Sequence, residues 1–203
     1  MSTTTAPAPT GEENRIARLI TDRLEPANVI VLVSVGVGLA QDNILTGLLW
    51  ALESIVFAAA IPVAYIKYGI KRGQWGDRHV TQRQRRLLLI PVIMASVGIG
   101  IGGMLWLDAP RQMLALTIGM LATLAMLLPI TAFWKISVHT SVATGALAML
   151  AIVYGPLVWL ALPIVAVIAW SRVALREHTL AQTIAGAAGG ALVAGVVFAA
   201  LST

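Results

Sequence analysis

Three short polar islands interrupt an otherwise apolar chain, and each holds one of its 3 histidines. The first, residues 71–86, carries Lys71, then Arg78 and His79. The second, residues 135–141, carries Lys135 and the run Ser137-Val138-His139. The third, residues 171–182, carries Ser171-Arg172, then His178, with Gln182 four positions on. Imidazole titrates near neutrality and serves as nucleophile or proton carrier. Guanidinium and ammonium groups suit an anionic substrate, phosphate above all. Cations, a hydroxyl and two imidazoles gathered at one place suit phosphoryl transfer. One histidine attacks phosphorus and forms a phosphohistidine, and the other protonates the leaving oxygen. The cations stabilise the charge that builds on the phosphoryl oxygens. This chemistry requires no metal and no cofactor. The chain has no cysteine, which excludes disulfides and thiolate metal sites.

The islands act together only if the elements between them bring them to one place. The chain is 58% hydrophobic and 11% charged, against about 25% charged for a soluble domain. It therefore reads as an all-α, polytopic bundle of membrane helices. A polar N-terminal segment, residues 1–26, precedes one membrane-embedded domain, residues 27–203. Residues 14–25 read as a short amphipathic helix on the membrane surface or as an ordinary lead-in. Apolar segments follow at 27–40, 45–70, 87–107, 113–134, 138–154, 157–170 and 179–201. That gives seven spans, or six if 27–40 is re-entrant. Continuous apolar runs without alternation exclude a membrane β-barrel. Small-residue runs at 141–148 and 185–195 allow close helix approach.

Crossing parity then places the islands. An even number of spans separates each island from the next, so all three share one face whether the count is six or seven. On the seven-span reading that face holds every one of the 14 Lys and Arg except Arg111. The excess of positive charge assigns it to the cytoplasm of a multi-pass plasma-membrane protein, and it makes nucleic-acid binding an unneeded explanation of the net charge of +5.

With these spacings and this topology, the chain resembles the type-2 phosphatidic acid phosphatase family, the lipid phosphate phosphatases. The family's motifs K-x6-R-P, P-S-G-H and S-R-x5-H-x3-D are matched here by residues 71–79, 136–139 and 171–182. The resemblance implies that Lys71, Arg78 and Arg172 bind phosphate. It implies that Ser137 and the Val138 amide donate to the phosphate oxygens. It makes His139 the general acid and His178 the nucleophile. The chain departs from the pattern at His79 and Ile136, where the family has proline, and at Val138, where it has glycine. Gln182 replaces an aspartate that would orient and charge-stabilise the nucleophilic imidazole. Gln182 keeps a hydrogen-bond acceptor one helical turn from His178 but brings no charge.

The expected function is hydrolysis of a lipid phosphate or diphosphate, polyprenyl for preference, with the tail in the bilayer and the phosphate at the islands. A second expectation is a prenyl-diphosphate enzyme of the same fold, a terpene synthase or transferase. The neutral Gln182 favours it, and the lack of a DDxxD cluster argues against its usual magnesium chemistry. A third is a non-catalytic membrane protein, against which Lys71, Arg78, Ser137, His139, Arg172 and His178 are all present. His79 reads as a solvated loop residue or as a contact to a second phosphate. Glu53, inside an apolar span, reads as functional or as a hydrogen-bonded structural group. The Ala/Gly-rich last helix allows a homo-oligomer.

The orientation has a direct test in a chain free of cysteine. A single cysteine introduced at Gln74 is expected to resist an impermeant thiol reagent in intact cells and to react once the membrane is opened. Labelling in intact cells would reverse the assignment of the face.

Overall fold

A computed structural model describes residues 11–73 and 83–202. Arg78 and His79 lie outside the described residues. The described residues fold into eight helices: α1 (Gly11–Arg23), α2 (Pro26–Leu39), α3 (Ile44–Lys71), α4 (Arg83–Trp106), α5 (Arg111–Phe133), α6 (Val138–Tyr154), α7 (Pro156–Ala174) and α8 (Leu180–Leu201). No strand occurs among the described residues. In hydrocarbon a backbone must satisfy its own polar groups, which a helix does within one segment. α3, α4, α5, α7 and α8 are long and apolar enough to cross a membrane. α2 and α6 are apolar but shorter, with 14 and 17 residues. At 1.5 Å per residue they reach about 21 and 26 Å, against a hydrocarbon core of about 30 Å. Hydropathy alone suggests six or seven spans; the helices are five long ones and two short ones.

The boundaries follow from local chemistry. Pro26 and Pro156 sit in first turns, where a missing N–H costs nothing. Gly155 joins α6 to α7 at φ 93°, a conformation that glycine reaches without steric penalty. Asn43 caps α3 by accepting from the Thr46 N–H at 3.0 Å. Inside α3, Val56–Ala60 forms a π turn ahead of Pro62. An i→i+5 pattern would aim the Phe57 carbonyl at the N–H that Pro62 lacks. The Ser96 hydroxyl of α4 donates to that carbonyl at 2.7 Å, so the break is satisfied from the neighbouring helix.

α6 and α8 form the tightest pair. A Cβ at Gly186 would lie 2.5 Å from the Ser137 carbonyl oxygen, and one at Gly190 would overlap the Ser141 carbonyl. Thr140 and Thr144 of α6 donate across the seam to the carbonyls of Thr183 (2.9 Å) and Ala187 (2.7 Å) of α8. Small residues let the backbones approach, and the approach brings the hydroxyls within bonding range. α2 is short yet central: Val29, Val33 and Val37 pack among Met113, Leu116, Met149 and Phe198. α1 is not a free surface helix. Ala17 and Thr21 are fully buried against α7, while Ile16 and Leu19 stay exposed.

The glycine seam generates a stability prediction. Gly190→Ala is expected to destabilise the detergent-purified protein by about 1–3 kcal/mol, read as a lower unfolding midpoint. Gly98→Ala, whose new methyl meets nothing within 4 Å, should leave the midpoint unchanged. Equal midpoints for the two variants would show that α6 and α8 do not approach this closely.

Candidate active site

The second and third islands meet where α6 and α8 begin. Ser137 caps α6, its hydroxyl oxygen accepting from the Thr140 N–H at 3.4 Å. Thr179 and Gln182 cap α8 reciprocally. The Thr179 hydroxyl accepts from the Gln182 N–H at 3.3 Å, and the Gln182 side-chain oxygen accepts from the Thr179 N–H at 3.1 Å. The Ser137 N–H donates to the Gln182 backbone carbonyl at 3.3 Å, joining the two islands directly. Two helix N-termini thus point into one region, and their dipoles favour an anion there.

His178 sits in this junction, 5% exposed. Its Nδ1 lies 3.1 Å from the Lys135 carbonyl oxygen and 3.2 Å from the Gln182 Oε1. The Gln182 oxygen is identified by the Thr179 N–H that it accepts. Both neighbours of Nδ1 are therefore acceptors, so Nδ1 carries the proton in the neutral ring. Nε2 then holds the lone pair, the arrangement a nucleophilic imidazole needs. Gln182 orients the imidazole through this contact. An aspartate would also stabilise the imidazolium, by about 4 kcal/mol for charges about 4 Å apart at an effective dielectric of 20. The amide dipole supplies only part of that.

Arg172 is fully buried, and its guanidinium is engaged. One amino group donates to the Thr21 hydroxyl of α1 at 3.3 Å, and the other pairs with Glu177. Ser171 commits its proton to the Ile168 carbonyl (2.8 Å), so Thr21 must donate to the Ser171 oxygen 3.0 Å away. Arg18 of α1 reaches the other Glu177 oxygen at 3.8 Å. The Arg172 carbonyl accepts from the N–H groups of both Glu177 (3.1 Å) and His178 (3.2 Å), while Arg176 turns the chain at φ 55°. Arg172 thus sets the turn that delivers His178. This is a positioning geometry beside the phosphate-binding one that the resemblance implies.

His139 lies in the first turn of α6, also 5% exposed. With Val138 and Ser141 it lines a cavity of about 200 Å³ running beneath the junction. Lys67 and Glu25 also line this cavity, and the remaining walls are almost wholly apolar. Lys71 is exposed at the end of α3 and does not line it. His178 does not line it either.

Of the expected site, Ser137, Val138, His139, Arg172, His178 and Gln182 fall in one region, and Lys71 stands at the exposed end of its helix. The sequence reading passed over four residues. Lys67 precedes Lys71 by one helical turn; Ser141 follows His139 by two residues; Glu177 adjoins His178; Thr21 lies far off in α1. Adjacency is a signal for the first three, but nothing in the chain announces Thr21. Glu53 faces Gly100 of α4, away from the islands. Among the described residues no group of His, Cys, Asp and Glu is placed to hold a metal ion. No protein-family model, no curated protein and no solved structure matches this chain.

The buried pair makes a prediction separate from catalysis. Arg172→Met strands the Glu177 carboxylate and should cost about 3–5 kcal/mol of stability. Adding Glu177→Leu should recover most of it in the same unfolding experiment. If the double variant is no more stable than Arg172→Met, the pair does not hold the turn.

Proposed function

We propose that the protein is a membrane phosphatase, a diverged relative of the type-2 phosphatidic acid phosphatases, that removes phosphate from a lipid phosphate or diphosphate, polyprenyl for preference. The observation that carries this reading is the junction of the two histidine islands at paired helix N-termini, above an apolar cavity lined by His139. In the first step the Nε2 lone pair of His178 attacks phosphorus. The bond to the leaving oxygen breaks, and His139 gives that oxygen its proton. In the second step water attacks the phosphohistidine, the P–N bond breaks, His139 takes the proton, and phosphate leaves. Lys71, Arg78 and Arg172 neutralise the phosphoryl oxygens, and Ser137 and the Val138 amide donate to them. For Arg172 to do so, Glu177 must yield its place to the phosphate. On this reading the chain crosses the membrane six or seven times, with the islands at the cytoplasmic face, where lipid intermediates made inside the cell are met.

The neutral Gln182 favours one other reading, a prenyl-diphosphate enzyme of the same fold that expels diphosphate without a covalent intermediate. One experiment divides the two. The purified chain, in EDTA, is given polyprenyl phosphate, polyprenyl diphosphate and phosphatidic acid. Released phosphate that His178→Ala abolishes, with a rate falling at both acid and alkaline pH, is the expected result. The fall at both ends follows because His178 must be deprotonated while His139 is protonated. Diphosphate with a hydrocarbon or transfer product would support the second reading. No turnover, with His178→Ala indistinguishable from the parent, would sink both.

A further inference from the structure

The cavity carries more than a general preference for lipids. Its upper end is marked by residues at helix ends on the island face: Glu25 before α2, Lys67 near the end of α3, and His139 at the start of α6. Its far end is formed by Val33, Val97, Met149 and Ala194, all 2% exposed or less. From His139 to Met149 the α6 axis rises about 15 Å, half the hydrocarbon thickness of a bilayer. It is thus a pocket closed at mid-membrane rather than a channel. Two features close it there. The Met149 side chain reaches across to Gly119, where a Cβ would lie 2.7 Å from its methyl, and Ala194 packs at 3.0 Å from where a Gly145 Cβ would be.

Size limits the occupant. An apolar cavity of about 150 Å³ holds a benzene ring. The volume here, about 200 Å³, encloses in proportion about eight carbon atoms. That is one short chain, not the two long chains of a glycerophospholipid. The mouth supplies a polar end to match. Ser141 is fully buried, its hydroxyl has no hydrogen-bond partner among the described residues, and it lines the cavity two residues from His139. A buried hydroxyl without a partner costs about 1–3 kcal/mol, a cost that a ligand oxygen accepting from it would remove. Lys67 adds a cation, and Glu25 stands beside it as the one carboxylate at the rim.

We infer that the cavity takes a single-chain lipid phosphate tail first, enclosing one short prenyl or alkyl chain, with Lys67, Ser141 and His139 at the phosphate. This rests on the phosphate-handling reading of His139 and narrows its substrate class. Chain length is set by Met149 at the far end, and Lys67, one helical turn before Lys71, adds a second cation of α3 at the phosphate.

Binding tests this without any turnover. The full chain in detergent is titrated with geranyl phosphate, geraniol, dioleoyl phosphatidic acid, a C55 polyprenyl phosphate and inorganic phosphate, and the shift in its unfolding midpoint is followed. Geranyl phosphate is expected to stabilise it most. Ala146→Phe, which plugs the cavity, should weaken geranyl phosphate at least tenfold, and Ala59→Leu provides a smaller plug if the first variant folds poorly. Lys67→Ala should weaken geranyl phosphate and leave geraniol unchanged, which separates headgroup from tail. Met149→Ala should admit longer chains. Two-chain or C55 lipids binding as tightly as geranyl phosphate, or plugged variants binding it undiminished, would overturn the inference. Tail-dependent binding without phosphate release would sink the phosphatase reading and leave this one standing. Phosphate release from phosphatidic acid that plugging does not slow would do the converse.

Discussion

The close approach of α6 and α8 is the constraint on which the rest depends. Gly186 and Gly190 present no side chain to the carbonyls of Ser137 and Ser141, so the two backbones come nearly into contact. Only at that separation do Thr140 and Thr144 reach the opposite helix, and only then does the Ser137 N–H meet the Gln182 carbonyl. Lipid tails offer no hydrophobic drive for one helix to prefer another, so packing and cross-helix hydrogen bonds decide which helices pair. Here the same contacts that pair the helices also align their N-termini. Two helix N-termini side by side, one His in each vicinity, are a by-product of getting the seam to close.

The third island is held by a different kind of force. Arg172 is a fully buried cation, which in isolation would be costly enough to expel from the interior. It is tolerated because Glu177 and Thr21 take its two terminal amino groups. The same residue donates its carbonyl to the turn that carries His178. α1 is therefore part of the domain rather than a lead-in to it: Thr21 relays hydrogen bonds into Ser171, and Arg18 supports Glu177 from outside. Gln182 shows the opposite economy. One side-chain oxygen completes a helix cap and fixes the tautomer of His178, orienting the imidazole with a neutral group.

Much of this was legible along the chain. Apolar run lengths gave most helix ends to within two residues, while α4 begins four residues earlier and α7 ends four residues later than the apolar runs, through polar residues of the islands. Pro26, Gly155-Pro156 and Thr179 mark ends that the structure places at the same points. The contact of His178 with Gln182 was expected from a shared helix face, but His178 lies before the Thr179 cap, outside α8, and Gln182 reaches it from the first turn through the capping box. The weaker inferences concerned what lies between helices. Residues 14–25 read as a surface helix, because amphipathicity does not say whether the apolar strip meets lipid or protein. The shortness of 27–40 was visible, but not that its valines lie at the centre of the core.

By itself the sequence determined the apolar helices, their order and the three polar islands between them, because each of these depends on local periodicity and composition. The tertiary structure alone decided that Lys135 and Ser137 meet His178 and Gln182, that Arg172 spends its guanidinium on Glu177 and Thr21, and that Lys67 and Ser141 line an apolar cavity beside His139. Those facts are set by which helix faces turn toward each other and how closely they approach. The rotation of each helix about its axis is fixed by small residues and hydroxyls on its neighbours, and no single segment contains that information.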